Sequence, residues 1–175
     1  NRKALAMVHD GMQKSRVVSW QDPADTLTAG QALAGNDFLR AIMVGEVPNP
    51  PFGGLLQMSI TDVQPGRVEF VCHPDESMYN ATGTVHGGIL CTLLGPAASC
   101  AVLSALPSGK TIISIEIKVS YLRAVRAVGG VVRATGTLHK LGGRVGFAEA
   151  VATDENGRDI ATATTSVMVL DVPAS

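Results

Sequence analysis

The chain has 175 residues, 46% of them hydrophobic and only 17% charged, against roughly 25% charged in an average soluble domain; that length suits one domain. Its 14 basic and 15 acidic residues leave a net charge of −1, so no basic surface advertises nucleic acid and no charge block marks a tail. Residues 77–109 contain no Asp, Glu, Lys or Arg, yet Tyr79, Asn80, Thr82, Thr84, His86, Thr92 and the Gly95-Pro96 pair interrupt the stretch too often for a membrane span, which needs about 20 predominantly apolar residues.

In chain order, residues 1–27 lack periodicity and read as an arm, partly disordered or packed on a neighbour; residues 28–172 form the domain. The first 20 residues hold no apolar run of signal-peptide length, and Cys72, Cys91 and Cys100 show no paired spacing. Both features point to a reducing compartment, the cytoplasm. Asp25 or Thr28 would cap a helix running through Leu33, Phe38, Leu39, Ile42 and Met43 and stopping at Gly45, ahead of Pro48, Pro50 and Pro51. A hairpin follows, with strands at 56–63 and 68–72 joined by Pro65-Gly66, and Val68, Phe70 and Cys72 sharing one face.

Beyond the charge-free stretch, Ile113, Ile115, Ile117, Val119 and Tyr121 alternate with Ile112, Ser114, Glu116, Lys118 and Ser120, which assigns one face of that strand to the core. Gly129-Gly130, Gly142-Gly143 and Asn156-Gly157 then turn the chain between strands at 131–141, 145–152 and 160–170. Before these strands lies the diagnostic element, a helix starting just after Val85-His86-Gly87-Gly88 and reaching about Leu106, apolar on nearly every side. A helix hydrophobic all round must be wrapped by protein. The expected fold is therefore α+β: a curved antiparallel β-sheet around one long apolar helix, with an extra N-terminal helix.

The run Asn80-Ala-Thr-Gly83-Thr-Val-His86-Gly87-Gly88 resembles the Asn-x-x-Gly-x-x-His-Gly-Gly signature of the phenylacetate-degradation (PaaI-type) hot-dog acyl-CoA thioesterases. The similarity extends over residues 33–170, including Phe38-Leu39-Arg40 and the segment from Ser114 to Arg123. The resemblance implies a single hot-dog domain that hydrolyses an acyl-CoA to a carboxylic acid and free CoA. It also implies a homodimer or homotetramer with sites between subunits. Coenzyme A would be part of the substrate, and no cofactor is expected.

The chemistry of the motif fits that reaction. Thioester hydrolysis develops negative charge on the carbonyl oxygen, which the backbone N–H groups and positive dipole of a helix N-terminus can meet. Gly88 is the expected oxyanion donor, with Gly87 permitting a tight start to the helix. Asn80 matches the family position whose amide also holds the carbonyl, and His86 is expected to orient the loop rather than act as base. Family members carry a carboxylate nine residues after the histidine to activate or orient water, or to attack the thioester directly; here that position is Gly95, followed by Pro96. Ser114 matches a family position that helps hold the water.

Glu116, about 6.6 Å from Ser114 along a strand and on the same face, would be a substitute carboxylate; otherwise it pairs with Lys118 or Arg123 as a solvated charge. Arg123, Arg126, Lys140 and Arg144 fall at strand ends and could grip the coenzyme A phosphates. The histidines and cysteines show no ligand-like spacing, so no metal is expected. Two other readings stay open: a non-catalytic acyl-CoA binder, favoured by Gly95, and a hot-dog enoyl-CoA hydratase, which would want an Asp–His pair that the sequence does not offer.

Overall fold

The apolar run folds as a 17-residue helix, and everything else is arranged around it. The computed structural model describes residues 13–126 and 130–172; residues 1–12 of the expected arm and Gly129 of the expected turn lie outside these. In chain order the elements are α1 (Pro23–Ala32), α2 (Gly35–Val44), the short α3 (Pro51–Leu55), β1 (Met58–Gln64), β2 (Arg67–Cys72), a single 3₁₀ turn (Glu76–Met78), α4 (Gly87–Leu103), β3 (Lys110–Tyr121), β4 (Val132–Leu141), β5 (Val145–Thr153) and β6 (Asp159–Asp171). The six strands make one antiparallel sheet in the order β1-β2-β4-β5-β6-β3.

The sheet can wrap α4 because its inner face is paved with small residues. Ala134 on β4, Ala148, Ala150 and Ala152 on β5, and Ala161 and Ala163 on β6 are all buried, and Gly136 lies between them in the β4 row. The approach is closest at Gly136, where an added Cβ would sit 1.9 Å from the Ala97 carbonyl oxygen. Leu93, Leu94, Ala97, Ala98, Ala101 and Val102 of the helix are fully buried against this bed, and burying each large side chain contributes roughly 1.5–3 kcal/mol.

Two helices stand where the spacing had suggested one. The Asp22 side chain caps α1, accepting from the Ala24 N–H at 2.9 Å, with Pro23 in the first turn. The chain then breaks at Leu33 and Ala34 and restarts at Gly35, where a Cβ would sit 1.8 Å from the Leu103 carbonyl oxygen at the end of α4. The Gly35 N–H also donates to the Leu106 carbonyl at 3.1 Å. Close contact with α4 therefore fixes where α2 begins, and it ends at Gly45, in the left-handed region at φ 82°, as expected. α1 straddles the boundary expected between residues 27 and 28. The described part of the arm lies along the loop after β2, with Arg16 bonded to Asp75 at 2.9 Å and to the Leu55 carbonyl at 2.7 Å.

The β3 strand departs from its simple alternation. A bulge between Ser114 and Glu116 leaves Ile115 without a ladder partner, and the pairing resumes with Glu116 opposite Ser166 and Ile117 opposite Thr165. Directly opposed residues share a face, so Ser114, paired with buried Val167, and Ile117, Val119 and Tyr121 point toward α4, whereas Ile113, Glu116, Lys118 and Ser120 point to the outer face. β3 is also an edge strand, and its Ile113, Ile115, Ile117 and Tyr121 stay 59%, 52%, 36% and 54% exposed, so the core expected on its isoleucine face is incomplete within one chain.

The close approach at Gly136 makes a direct prediction. Gly136→Ala should destabilise the fold by about 2–3 kcal/mol through overpacking against backbone, lowering the thermal midpoint by about 5–10 °C. Gly143→Ala, where a Cβ meets nothing within 4 Å, should shift it far less; calorimetry of the two variants checks this.

Candidate active site

The loop before α4 is shaped by one asparagine. Asn80 Oδ1 accepts from the Thr82 N–H (2.9 Å), the Thr82 hydroxyl (2.7 Å) and the Thr84 N–H (3.2 Å), while its Nδ2 donates to Thr84 Oγ1 at 3.0 Å. The backbone closes the same loop through a Tyr79–Val85 bridge and an Asn80 N–H to Thr84 carbonyl bond of 2.8 Å. Asn80 thus builds the loop with its carbonyl side and keeps one amide hydrogen uncommitted among the described residues.

His86 then starts the helix. Its N–H donates to the Met78 carbonyl at 2.9 Å, and its Nδ1 accepts from the Gly88 N–H at 2.9 Å, making the imidazole the N-cap. These two bonds join His86 to the loop and to the helix start, and the second occupies the Gly88 N–H, the donor expected to face the oxyanion. The free donor is one residue earlier: the Gly87 N–H has no partner among the described residues. Gly87 is held from its other end, because the Tyr121 hydroxyl donates to its carbonyl at 3.0 Å and a Cβ at Gly87 would meet the Tyr121 ring at 3.0 Å. Partial desolvation against the helix start, and secondarily the neighbouring Cys91, raise the Tyr121 pKa, in keeping with a hydroxyl that donates at neutral pH. Spacing alone did not single out Tyr121; its place at the last inward position of β3 was the available signal.

Along α4, the stripe of Gly88, Thr92, Gly95, Pro96 and Ser99 stays exposed or half-buried while Leu90, Leu93, Leu94, Ala97, Ala98, Ala101 and Val102 are enclosed. At Gly95 an added Cβ would meet only Ile117 Cδ1, at an ordinary 3.6 Å, so nothing steric forbids a side chain there. Pro96 has no N–H to return to the Thr92 carbonyl four residues back, which leaves that oxygen an acceptor beside the Thr92 hydroxyl on the same open stripe. Ser99 Oγ donates to the Gly95 carbonyl at 2.8 Å. Ser114 faces this side of the sheet and Glu116 does not: the bulge turns Glu116 outward, where its carboxylate accepts from the Ser166 hydroxyl at 3.0 Å. The shared face expected for Ser114 and Glu116 is therefore absent, and Glu116 bonds to neither Lys118 nor Arg123.

The four basic residues proposed for the phosphates divide between two ends of the sheet. Arg123 and Arg126 line a cavity of ≈ 250 Å³ together with Arg158, Asp154 and Glu155. This cavity is tied to the Asn80 loop by the Val85 N–H, which donates to the Val125 carbonyl at 2.9 Å. Arg158, which the sequence did not single out, is already bound to Asp154 at 2.7 Å. Lys140 and Arg144 lie instead at the β4–β5 turn, beside the far end of β6. Burial pushes the Cys72 and Cys100 thiols up to about 11 and about 12, so both are inert thiols at neutral pH.

Residues 37–169 match the model of a family described as a domain of unknown function, DUF4442. A Halobacterium salinarum protein that bears an esterase name is 35% identical over 99 residues, which cover 54% of this chain and 64% of that protein's length. Among solved structures, a phenylacetic acid degradation-related protein of Ralstonia eutropha, named for a thioesterase, superposes with a TM-score of 0.68 at 26% identity, covering 74% of this chain and 98% of its own. A thioesterase family protein of Silicibacter pomeroyi gives 0.66 at 26% identity, with 77% and 96% covered. The same fold is seen in a Streptococcus pneumoniae protein, named as a hypothetical thioesterase and solved with coenzyme A, at a TM-score of 0.60 and 23% identity over 67% and 88% of the two chains. The chain belongs to the DUF4442 family, and its fold is the hot-dog fold of the PaaI-type thioesterases.

Proposed function

We propose that the protein hydrolyses acyl-CoA thioesters to a carboxylic acid and free CoA, at sites that form between two copies of the chain. The observation that carries this reading is the unpartnered Gly87 N–H at the start of a 17-residue helix, with the spare Asn80 amide hydrogen in the loop leading to it. Two donors and a positive dipole end are suited to a carbonyl oxygen that gains charge during reaction. The esterase and thioesterase names of the relatives support the same chemistry.

In this mechanism the thioester carbonyl oxygen accepts from Gly87 and Asn80, and coenzyme A runs toward the cavity bearing Arg123 and Arg126, as its presence in the pneumococcal neighbour encourages. A water held by the Thr92 hydroxyl and carbonyl and by Ser114 adds to the carbonyl carbon. The C–S bond then breaks and the departing thiolate takes a proton from the water. Among the described residues no carboxylate on the inner face removes that proton earlier, so the reaction relies on polarisation of the carbonyl and proceeds slowly. The edge strand β3, exposed from Ile113 to Lys118 and again at Ser120 and Tyr121, supplies the surface for the second copy. The observation that favours a second reading, an acyl-CoA binder without turnover, is Gly95 itself.

A thiol-release assay over acetyl-, octanoyl-, dodecanoyl- and phenylacetyl-CoA should detect free CoA with at least one substrate; calorimetric binding without release would establish the binder instead. Asn80→Asp keeps the loop-building oxygen and removes the amide donor, and should cost about 10²-fold in kcat with the thermal midpoint preserved. Gly95→Asp should restore a base next to the water and raise kcat by about 10²-fold with KM little changed; an unaltered kcat would show that proton removal does not limit the reaction.

A further inference from the structure

A second cavity, of ≈ 540 Å³, lies at the opposite end of α4 from Gly87. Its walls are Leu27, Gly30 and Leu33 from α1 and the following turn, Phe38 from α2, Leu103 at the end of α4 and Leu170 of β6. The volume is that of a ligand site, and the lining is mostly hydrocarbon, with Thr26, Gln31, Thr111 and the Lys110–Asp171 pair as its polar members. The Thr26 hydroxyl within it is spent on the Pro48 carbonyl at 3.0 Å, and Lys110 at its edge is paired with Asp171 at 2.5 Å. With its lysine already neutralised by Asp171 and most of its wall aliphatic or aromatic, such a chamber suits an apolar tail better than a charged head. α1, which forms its outer wall, precedes the part of the chain that matches the family model. Leu27 on that wall is 64% exposed, and Gly30 lets the Phe38 ring lie 3.2 Å from where a Cβ would be.

The cavity does not serve the thioester position of its own chain. Gly87 and Leu103 are 16 residues apart on one helix, about 24 Å, and between them the inner face of the sheet is filled. The edge strand removes the difficulty. β3 runs from Lys110, which lines the cavity, to Tyr121, which touches Gly87. An antiparallel second copy joined to β3 about its midpoint sets residue 121 of one chain opposite residue 110 of the other. That pairing brings Gly87 of the partner subunit beside this cavity.

We infer that this cavity is the acyl-chain chamber of a composite site: the apolar tail of a medium- or long-chain thioester lies between α1, α2 and β6 of one subunit while its carbonyl is held by the partner subunit's Gly87. The inference rests on the thioesterase reading and names the substrate class within it. It also gives α1 a role, as the wall that sets chain length.

Leu27→Glu tests this on an exposed residue, placing a charge in the lining at little risk to folding. In the full-length protein it should lower the ratio of kcat/KM for dodecanoyl-CoA to that for acetyl-CoA at least tenfold, with Leu27→Met restoring the ratio. Thr111→Trp, which fills the chamber from β3, should move the optimum to shorter chains. Displacement of cis-parinaric acid gives a readout independent of hydrolysis, and Leu27→Glu should weaken its binding at least tenfold. If no thioester is cleaved yet parinaric acid binds in a Leu27-dependent way, the chamber stands and the thioesterase reading falls. If hydrolysis occurs and both the chain-length ratio and parinaric acid binding are unchanged by Leu27→Glu, the chamber assignment is overturned.

Discussion

The structure depends on one constraint, the enclosure of a helix that has no polar face. Seventeen residues from Gly87 to Leu103 carry no charge, and every large side chain left in water would forgo roughly 1.5–3 kcal/mol. The sheet meets this demand by lining its inner face with alanine and by opening a gap at Gly136 wide enough for the helix backbone itself. Gly35 does the same for α2, and Gly146 admits the Val102 side chain. These contacts are between backbone and backbone, or nearly so, and therefore fix the helix rigidly relative to the strands.

That rigidity decides where chemistry is available. With α4 pressed onto β4, β5 and β2, the remaining stripe of Gly88, Thr92, Gly95, Pro96 and Ser99 looks out over β3, the edge strand. The helix start is positioned by Tyr121 from that strand and by the Asn80 loop from the other side. The donors left there are uncharged, the Gly87 N–H and one Asn80 amide hydrogen, of the kind the proposed reaction needs for an oxygen that becomes negative. What the stripe lacks is a base. The bulge that turns Glu116 to the outer face removes the nearest carboxylate on that strand, so under the proposed reading carbonyl polarisation has to carry the reaction without a general base.

Most of the architecture was legible in the residues. The all-round apolar run identified the buried helix, and the glycine pairs and Asn156-Gly157 placed the strands within a residue or two of their ends. What was missed was decided by contacts across the fold. The β3 bulge is invisible to period-two counting, because Ile112 and Ile113 let an alternating pattern be drawn in either phase and pairing with β6 selects between them. The break between α1 and α2 follows from the fit of Gly35 against Leu103, although Asp22-Pro23 was a usable start signal for α1. At the start of α4, which N–H stays free depends on the imidazole rotamer, which no spacing along the chain encodes: His86 takes Gly88 and leaves Gly87. The separation of Arg123 and Arg126 from Lys140 and Arg144 likewise reflects strand order, which no spacing along the chain encodes.

The central claim is that the start of α4 receives the carbonyl of a thioester. The most direct measurement is a crystal structure with an acyl-CoA ketone in which a methylene replaces the sulfur, so that the carbonyl persists and cannot be cleaved. The account predicts the ketone oxygen within about 3 Å of the Gly87 N–H, the Asn80 amide turned to the same oxygen, and His86 still capping Gly88. A ketone bound elsewhere, with the Gly87 N–H untouched, would contradict it.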